Sequence, residues 1–390
     1  MKGIKQSLRL GRLSALAGAV ALACSAAAAQ AAPVALNIVD VAGDLAVTQK
    51  ALEAFRDQNR DLVSSMTFTN APAPQLPGKI KAMQNAGRAD IDLVLTGTDA
   101  LAAGIEQGLW IKLLPDHEDL FKADVASYHP AAAKMQKLAQ GYGLEVAFMQ
   151  SGPLLEYNPK TVKNPPKTPE ELLKWCQANP GKFLYARPAN SGPGRTFLMG
   201  LPYLLHDKDP YDPINGWDNT WKFLKQLNDC VPYYPGGTSA IMKELGQGSR
   251  DMTVTVTGWD INPRALGIVP EDFKIQPFDN FTWVTDAHYM VIPKGVSAEK
   301  QKVLFKLMNF MLQPKQQAMT YDAGYFYPGP AVANVPLSAA PKESQDIINR
   351  YGRQEYASLT ASRPSAVPLD AKAMVAAFQK WDTEVGALKK

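Results

Sequence analysis

From Val34 onward the chain alternates short apolar runs with amphipathic ones, and this restricts the fold more than any other feature of the sequence. Ala35 to Val39, Met66 to Thr69 and Asp90 to Leu95 read as strands, with helices over Asp44 to Arg56 and around Lys79 to Ala86. Such alternation implies an α/β architecture, a mixed, mostly parallel sheet flanked by helices. The loops after the strand ends, Asp40 to Asp44 and Thr96 to Asp99, then fall at the carboxyl edge, where open α/β sheets bind ligands.

The same logic restarts after the apolar stretch Leu144 to Met149. Leu154 to Asn158, Phe183 to Ala186 and Thr253 to Thr257 read as strands, and Thr168 to Ala178, Gly194 to Leu205 and Asn215 to Asn228 as helices. Thr168 caps the first of these with Pro169 at its first turn. Trp217, Trp221, Leu224 and Leu227 share one face of the third, which is core spacing. A strand Trp283 to Ile292, a helix Ala298 to Leu312 and a terminal helix Met374 to Val385 complete the pattern, with ordered surface crossings at the proline-rich stretches 328–341 and 364–368. Since single cores stop growing at about 250–300 residues, 390 residues with this repeated layout predict two lobes.

The N-terminus reads as a cleavable export signal. Lys2, Lys5, Arg9 and Arg12 precede an Ala/Leu-rich run from Leu13 to Ala23, and Ala29-Gln30-Ala31 supplies the small residues of a cleavage site after Ala31. Lipid attachment at Cys24 is the lesser alternative, and the run is short for a membrane span. Without those four cations the remaining lysines and arginines equal the 37 acids, so the balanced remainder lacks the basic footprint of nucleic-acid binding. Export leaves Cys176 and Cys230, either bridged, the favoured reading, or two buried thiols.

Motifs for enzymatic chemistry are missing. The sequence contains no G-x-S-x-G, H-E-x-x-H or G-x-x-x-x-G-K-[ST], and His117, His129, His206 and His288 are scattered without ligand spacing, so no histidine site and no cofactor are expected. Gly141-Tyr142-Gly143 reads as a turn before a crossover strand. More suggestive is Asn190 to Thr196 entering a helix: glycines admit close approach, hydroxyls donate, and helix starts present unpaired N–H groups, although a plain N-cap would look the same. Pro235 to Ser239 repeats that arrangement. Tyr233 and Tyr234 would point apart on a strand, which favours packing over metal ligation. Trp259 with Asp260 at a strand end, and Tyr325 after a helix, suit a cation or a stacked ring.

In the order of these segments the chain resembles the periplasmic solute-binding proteins of ABC importers, the large extracellular solute-binding family with the type II two-lobed fold. The resemblance runs through the opening strand and loop Ala35 to Asp44, Asp90 to Asp99, Leu109 to Leu114, Tyr157 to Lys160, Tyr234 to Ser239, Gly258 to Asp260 and the helix before Gln313-Pro314. It is nearest to the branch carrying polyamine, thiamine and ferric solutes. The resemblance implies one lobe from residues 32–146 and 283–326 and another from 147–282 and 327–390, joined by crossover strands. It implies a ligand-binding set drawn from Asp40 and Asp44, from Thr96, Gly97, Thr98 and Asp99, and from Ser191, Gly192, Arg195 and Thr196. Thr238, Ser239, Trp259, Asp260 and Tyr325 complete that set. The expected protein is a monomeric periplasmic receptor, not an enzyme, that captures an organic amine or amphoteric metabolite and delivers it to an inner-membrane permease. Alternatives are a ferric or oxyanion receptor of the same fold, and an exported enzyme with Asp99 or Asp260 as base.

Overall fold

Burial explains where the strands form. In β1 (Val34–Asp40) Leu36 and Ile38 are buried while Ala35 and Asn37 are exposed, the period-two pattern of a pleated strand with one covered face. β3 (Leu93–Thr96), β4 (Leu144–Gly152) and β9 (Trp283–Val291) are buried at every position, as strands covered on both faces must be. The computed structural model describes residues 32–73 and 75–389, so the export signal and Cys24 lie outside the described residues.

Two mixed sheets result. The first runs in the order β10 (Pro328–Gly329), β4, β9, β3, β1, β2 (Val63–Asn70), with β11 (Ser365–Ala366) added alongside β9. The expected parallel pairing holds for β1 with β2 and β3, whereas β9 runs antiparallel to β3 and β4. The chain leaves this sheet along β4 and re-enters along β9, which reverses their direction. The second sheet has the order β6 (Phe183–Leu184), β7 (Met252–Thr255), β5 (Leu154–Tyr157), β8 (Lys274–Pro277). Only β6 and β7 are parallel in it.

Each sheet has its own apolar core. The first is built from residues such as Leu36, Leu95, Trp110, Val146 and Met290; the second from Leu155, Phe183, Phe197, Trp221 and Val254. Trp217, Leu224 and Leu227 are buried in the second core, as their helical spacing requires. The C-terminal helix Ala371–Glu384 joins that core through Met374, Ala377 and Trp381, and also touches the helix Thr98–Glu106, bracing the first sheet's side against the second.

Two differences from sequence expectation matter for the site. Thr257 does not end a strand: β7 stops at Thr255, and Thr257 opens the helix Thr257–Ala265, so Trp259 and Asp260 sit in a helical first turn and face different ways. The helix Thr98–Glu106, unexpected from the sequence, begins directly at the second loop.

In the second lobe Cys176, at the end of helix Pro169–Ala178, is bonded to Cys230, with Cα atoms 5.7 Å apart and a sequence separation of 54. Closing a loop of that length restricts the unfolded chain by about 4 kcal/mol in the entropic picture. Replacing both cysteines by serine should therefore lower the urea unfolding midpoint by the equivalent of about 2–4 kcal/mol, and wild type in reductant should shift likewise. An unshifted midpoint in both would contradict the assignment of a stabilising role to this bridge.

Candidate functional site

A cleft of about 960 Å³ opens between the two sheets, lined from the first by the loops after β1, β2 and β3 and from the second by helix starts. Local sequence explains its walls. Gly43 has φ +77°, and a Cβ there would meet the Tyr325 hydroxyl at 2.3 Å; a Cβ on Gly258 would meet the Tyr325 carbonyl oxygen at 2.0 Å. Glycine at both places lets the Tyr325 segment wedge between a first-lobe loop and a second-lobe helix. The Tyr325 hydroxyl donates to the Ala42 carbonyl at 3.1 Å, and its ring meets Trp259 edge to face, centroids 5.5 Å apart.

Arg195 holds the centre. It projects from the first turn of the helix Gly192–Leu204, whose other side packs into the second core. Its guanidinium donates to Asp99 Oδ2 at 2.9 Å and to Asp286 Oδ2 at 2.6 Å, both on first-lobe elements. Burial works against the charged guanidinium, but Asp286 and Asp99 outweigh it and push its pKa up. Asp286 is further fixed by Thr98, whose hydroxyl donates to Oδ1 at 3.2 Å, and by the Ala287 N–H at 3.0 Å. Two carboxylates on one guanidinium leave a residual negative charge. Arg195 is therefore committed to carboxylates rather than free to receive an anion.

Asp40 and Asp44 do different things. The Asp40 carboxylate accepts backbone N–H bonds from Ala42, Asp44 and Leu45 at 2.9–3.0 Å, tying the loop to the start of helix Leu45–Gln58. Asp44 is fully buried beneath the lining, with Oδ1 2.8 Å from His288 Nδ1 in an ion-pair contact that lacks the alignment of a hydrogen bond. Burial raises the Asp44 pKa to about 6, more than His288 lowers it. The His288 pKa is raised as well: burial opposes its charge, but Asp44, Asp286 and Asp40 win. The imidazole stacks on Phe326, centroids 3.8 Å apart.

Of the residues expected at the site, Asp40, Gly97, Asp99, Gly192, Arg195, Thr238, Ser239, Trp259 and Tyr325 line the cleft. The two hydroxyl-rich helix starts meet, Ser191 Oγ lying 2.7 Å from Thr238 Oγ1. Ser191 itself is outside the lining, capping its helix by accepting the Gly194 N–H. Thr196 contacts the Ser151 hydroxyl at 3.1 Å, Thr96 donates to the Gly97 carbonyl, and Thr98 supports Asp286; these, like Asp44, build the wall rather than its surface. Asp260 departs most. It is fully buried away from the cleft, accepting from Arg264, Arg353 and the Tyr356 hydroxyl, because the first helical turn points it into the second lobe while Trp259 faces out.

Sequence reasoning missed Asp286 and His288, having set every histidine aside. The signal was present: two ionisable residues at i and i+2 in an otherwise apolar strand share one face. Asn190, which opens the Asn190 to Thr196 motif, also lines the cleft, as do Asn70, Asn262 and Asp322, which carried no motif.

The chain matches the family model described as bacterial extracellular solute-binding protein over residues 50–348. No curated protein sequence matches it. Among solved structures it is similar to the spermidine/putrescine ABC transporter substrate-binding protein PotD of Streptococcus pneumoniae (16% identity, 90% of this chain and 99% of that chain covered, TM-score 0.57). It is similar too to iron-bound HitA of Pseudomonas aeruginosa (16%, 89% and 99%, TM-score 0.61). A third is the periplasmic binding protein AfuA of Actinobacillus pleuropneumoniae with fructose-6-phosphate bound (15%, 90% and 98%, TM-score 0.60). At these identities the likeness is one of fold, the two-lobed type II architecture.

Two outcomes follow from this geometry. Arg195→Met removes the second-lobe cation and leaves Asp99 and Asp286 of the first lobe unpaired beside each other, so it should lower stability by about 3 kcal/mol and raise the radius of gyration in small-angle scattering as the lobes part. An unchanged scattering curve would count against Arg195 as an interlobe tie. Asp44 binds its proton more tightly folded than unfolded (about 6 against 3.8). Its contribution is thus fully present below pH 3.8 and lost as pH rises through about 6. Compared with Asp44→Asn, the wild type should lose about 1–3 kcal/mol between pH 4 and 7 in urea titrations; parallel pH profiles would refute this.

Proposed function

The chain belongs to the bacterial extracellular solute-binding protein family, and from that premise we propose that it is the exported receptor of an ABC importer, holding a small cationic organic solute between its lobes for delivery to an inner-membrane permease. The observation that carries the choice of charge is the excess of acids in the cleft. Asp40, Asp99, Asp286 and Asp322 line it, against a single guanidinium that two of them already hold. His288 is matched by Asp44 below it. A cation entering this cleft meets a net negative field in a partly desolvated setting, where charge complementarity is worth more than in water.

Closure follows from how the walls are divided. Since first-lobe loops and second-lobe helix starts both face the cleft, a solute contacting both favours the closed form by the difference in contacts, and the permease reads that form. Micromolar capture requires about 8 kcal/mol net, within reach of a few charge-assisted hydrogen bonds and one aromatic contact at Trp259. Catalysis finds less support: Asp99 is held by Arg195, and Asp260 lies away from the cleft.

The reading is tested by native mass spectrometry of freshly purified protein and a thermal-shift panel of amines, amino acids, sugars and oxyanions. An amine should raise the unfolding midpoint and be recovered unaltered. Trp259→Ala should weaken its binding about tenfold while keeping the fold. Stabilisation by oxyanions alone, or turnover of the bound molecule, would overturn the proposal.

A further inference from the structure

The cleft carries a second feature that its acids do not explain. Leu266 is 60% exposed and Ile268 37% exposed, and both line the cleft at the end of the helix Thr257–Ala265. An exposed Leu or Ile alone would be ordinary, but the lip these two form shares one cleft lining with Trp259, and a contiguous apolar surface in a cleft is what marks a ligand groove. The lip is rigid. Gly267 turns the chain with φ +69°, its N–H bonds the Arg264 carbonyl at 3.1 Å, and the Ile268 N–H bonds the Pro263 carbonyl at 2.9 Å.

Half-buried Trp259 continues the apolar surface inward, seated on the cluster of Met242, Leu245, Val269 and Phe273 and packed edge to face on Tyr325. The first lobe contributes the exposed Pro72 to the same cleft, in the loop after β2. Three of the four acids sit elsewhere on the lining: Asp99 and Asp286 are gathered on Arg195, and Asp40 ends β1; Asp322 is the exception, next to Ala323, whose carbonyl accepts from Asn262 of the lip's own helix. At about 960 Å³ the cleft is near the upper end of the range for pockets that enclose drug-sized molecules. An isolated metal ion or a short aliphatic diamine would leave the Leu266 and Ile268 surface wet.

We infer that the solute is an amphipathic organic cation, an amine or quaternary ammonium bearing an aromatic or extended alkyl body, with its charge toward the acids and its body against Trp259, Leu266 and Ile268. This rests on the cationic reading above and adds the apolar half. Aromatic bodies suit Trp259 best, because an indole face attracts cationic ring edges and offers area at little entropic cost.

The test is isothermal titration calorimetry of the purified protein with phenethylamine, hexylamine, ethylamine, putrescine and inorganic phosphate as probes. Phenethylamine or hexylamine should bind at least about tenfold more tightly than ethylamine and putrescine, with a negative heat-capacity change from apolar burial. In the double variant Leu266→Ser/Ile268→Ser, whose sites are exposed, the preference for phenethylamine over ethylamine should shrink about tenfold with the thermal midpoint unmoved. If putrescine or ethylamine binds as tightly as phenethylamine, or the double variant keeps the preference, the apolar half falls while the cationic reading stands. Binding of phosphate with no binding of any amine overturns both.

Discussion

The interaction on which the site depends is one guanidinium shared between two carboxylates across a gap. Arg195 comes from a helix anchored in the second core, Asp99 and Asp286 from elements of the first, and their hydrogen bonds at 2.9 and 2.6 Å join the lobes at the centre of the cleft. A buried arrangement of this kind contributes little net stability, since desolvation of three charges offsets most of the attraction. Its effect is positional. It sets where the walls meet, neutralises Arg195 as an anion receptor and leaves the cleft negative.

The second lobe contains a parallel case with a different outcome. Asp260, Glu156, Arg264, Arg353 and Tyr356 form a buried ionic group in which Asp260 alone accepts from two guanidiniums and a phenol. Burial and the neighbouring Asp260 push the Glu156 pKa well up. This group fastens the segment around Arg353 to the second lobe; the Arg195 group spans between lobes. The first is an aspartate flanked by arginines and the second an arginine flanked by aspartates, and only the Arg195 group stands at the gap between the lobes.

Much of the fold was legible because strand and helix periods are local properties. β1, β4 and β9 and the helices near Thr168, Asn215 and Ala298 fall within a few residues of their expected places. The short strands β8, β10 and β11 were not legible, since two- to four-residue pairings carry no period of their own, and β10 and β11 also lie in the proline-rich crossings. In the cleft, the glycine- and hydroxyl-rich helix starts at Gly192 and Thr238 could be read from composition. His288 was passed over because a lone histidine in an apolar strand reads as core until its strand's face is known.

The sequence by itself determined the order of elements, the kind of lobes they build and the chemistry of the helix starts, because each is encoded by residues within a turn or two of one another. Only the tertiary structure decided which acids see the cleft. Arg195 finds its partners 96 and 91 residues away, and Asp260, expected at the site, is turned away from the cleft while Asp286, which the sequence reading passed over, lines it. The physical reason is that a side chain's exposure depends on what packs against its element, and in a two-lobed chain that contact is contributed by segments far away in sequence.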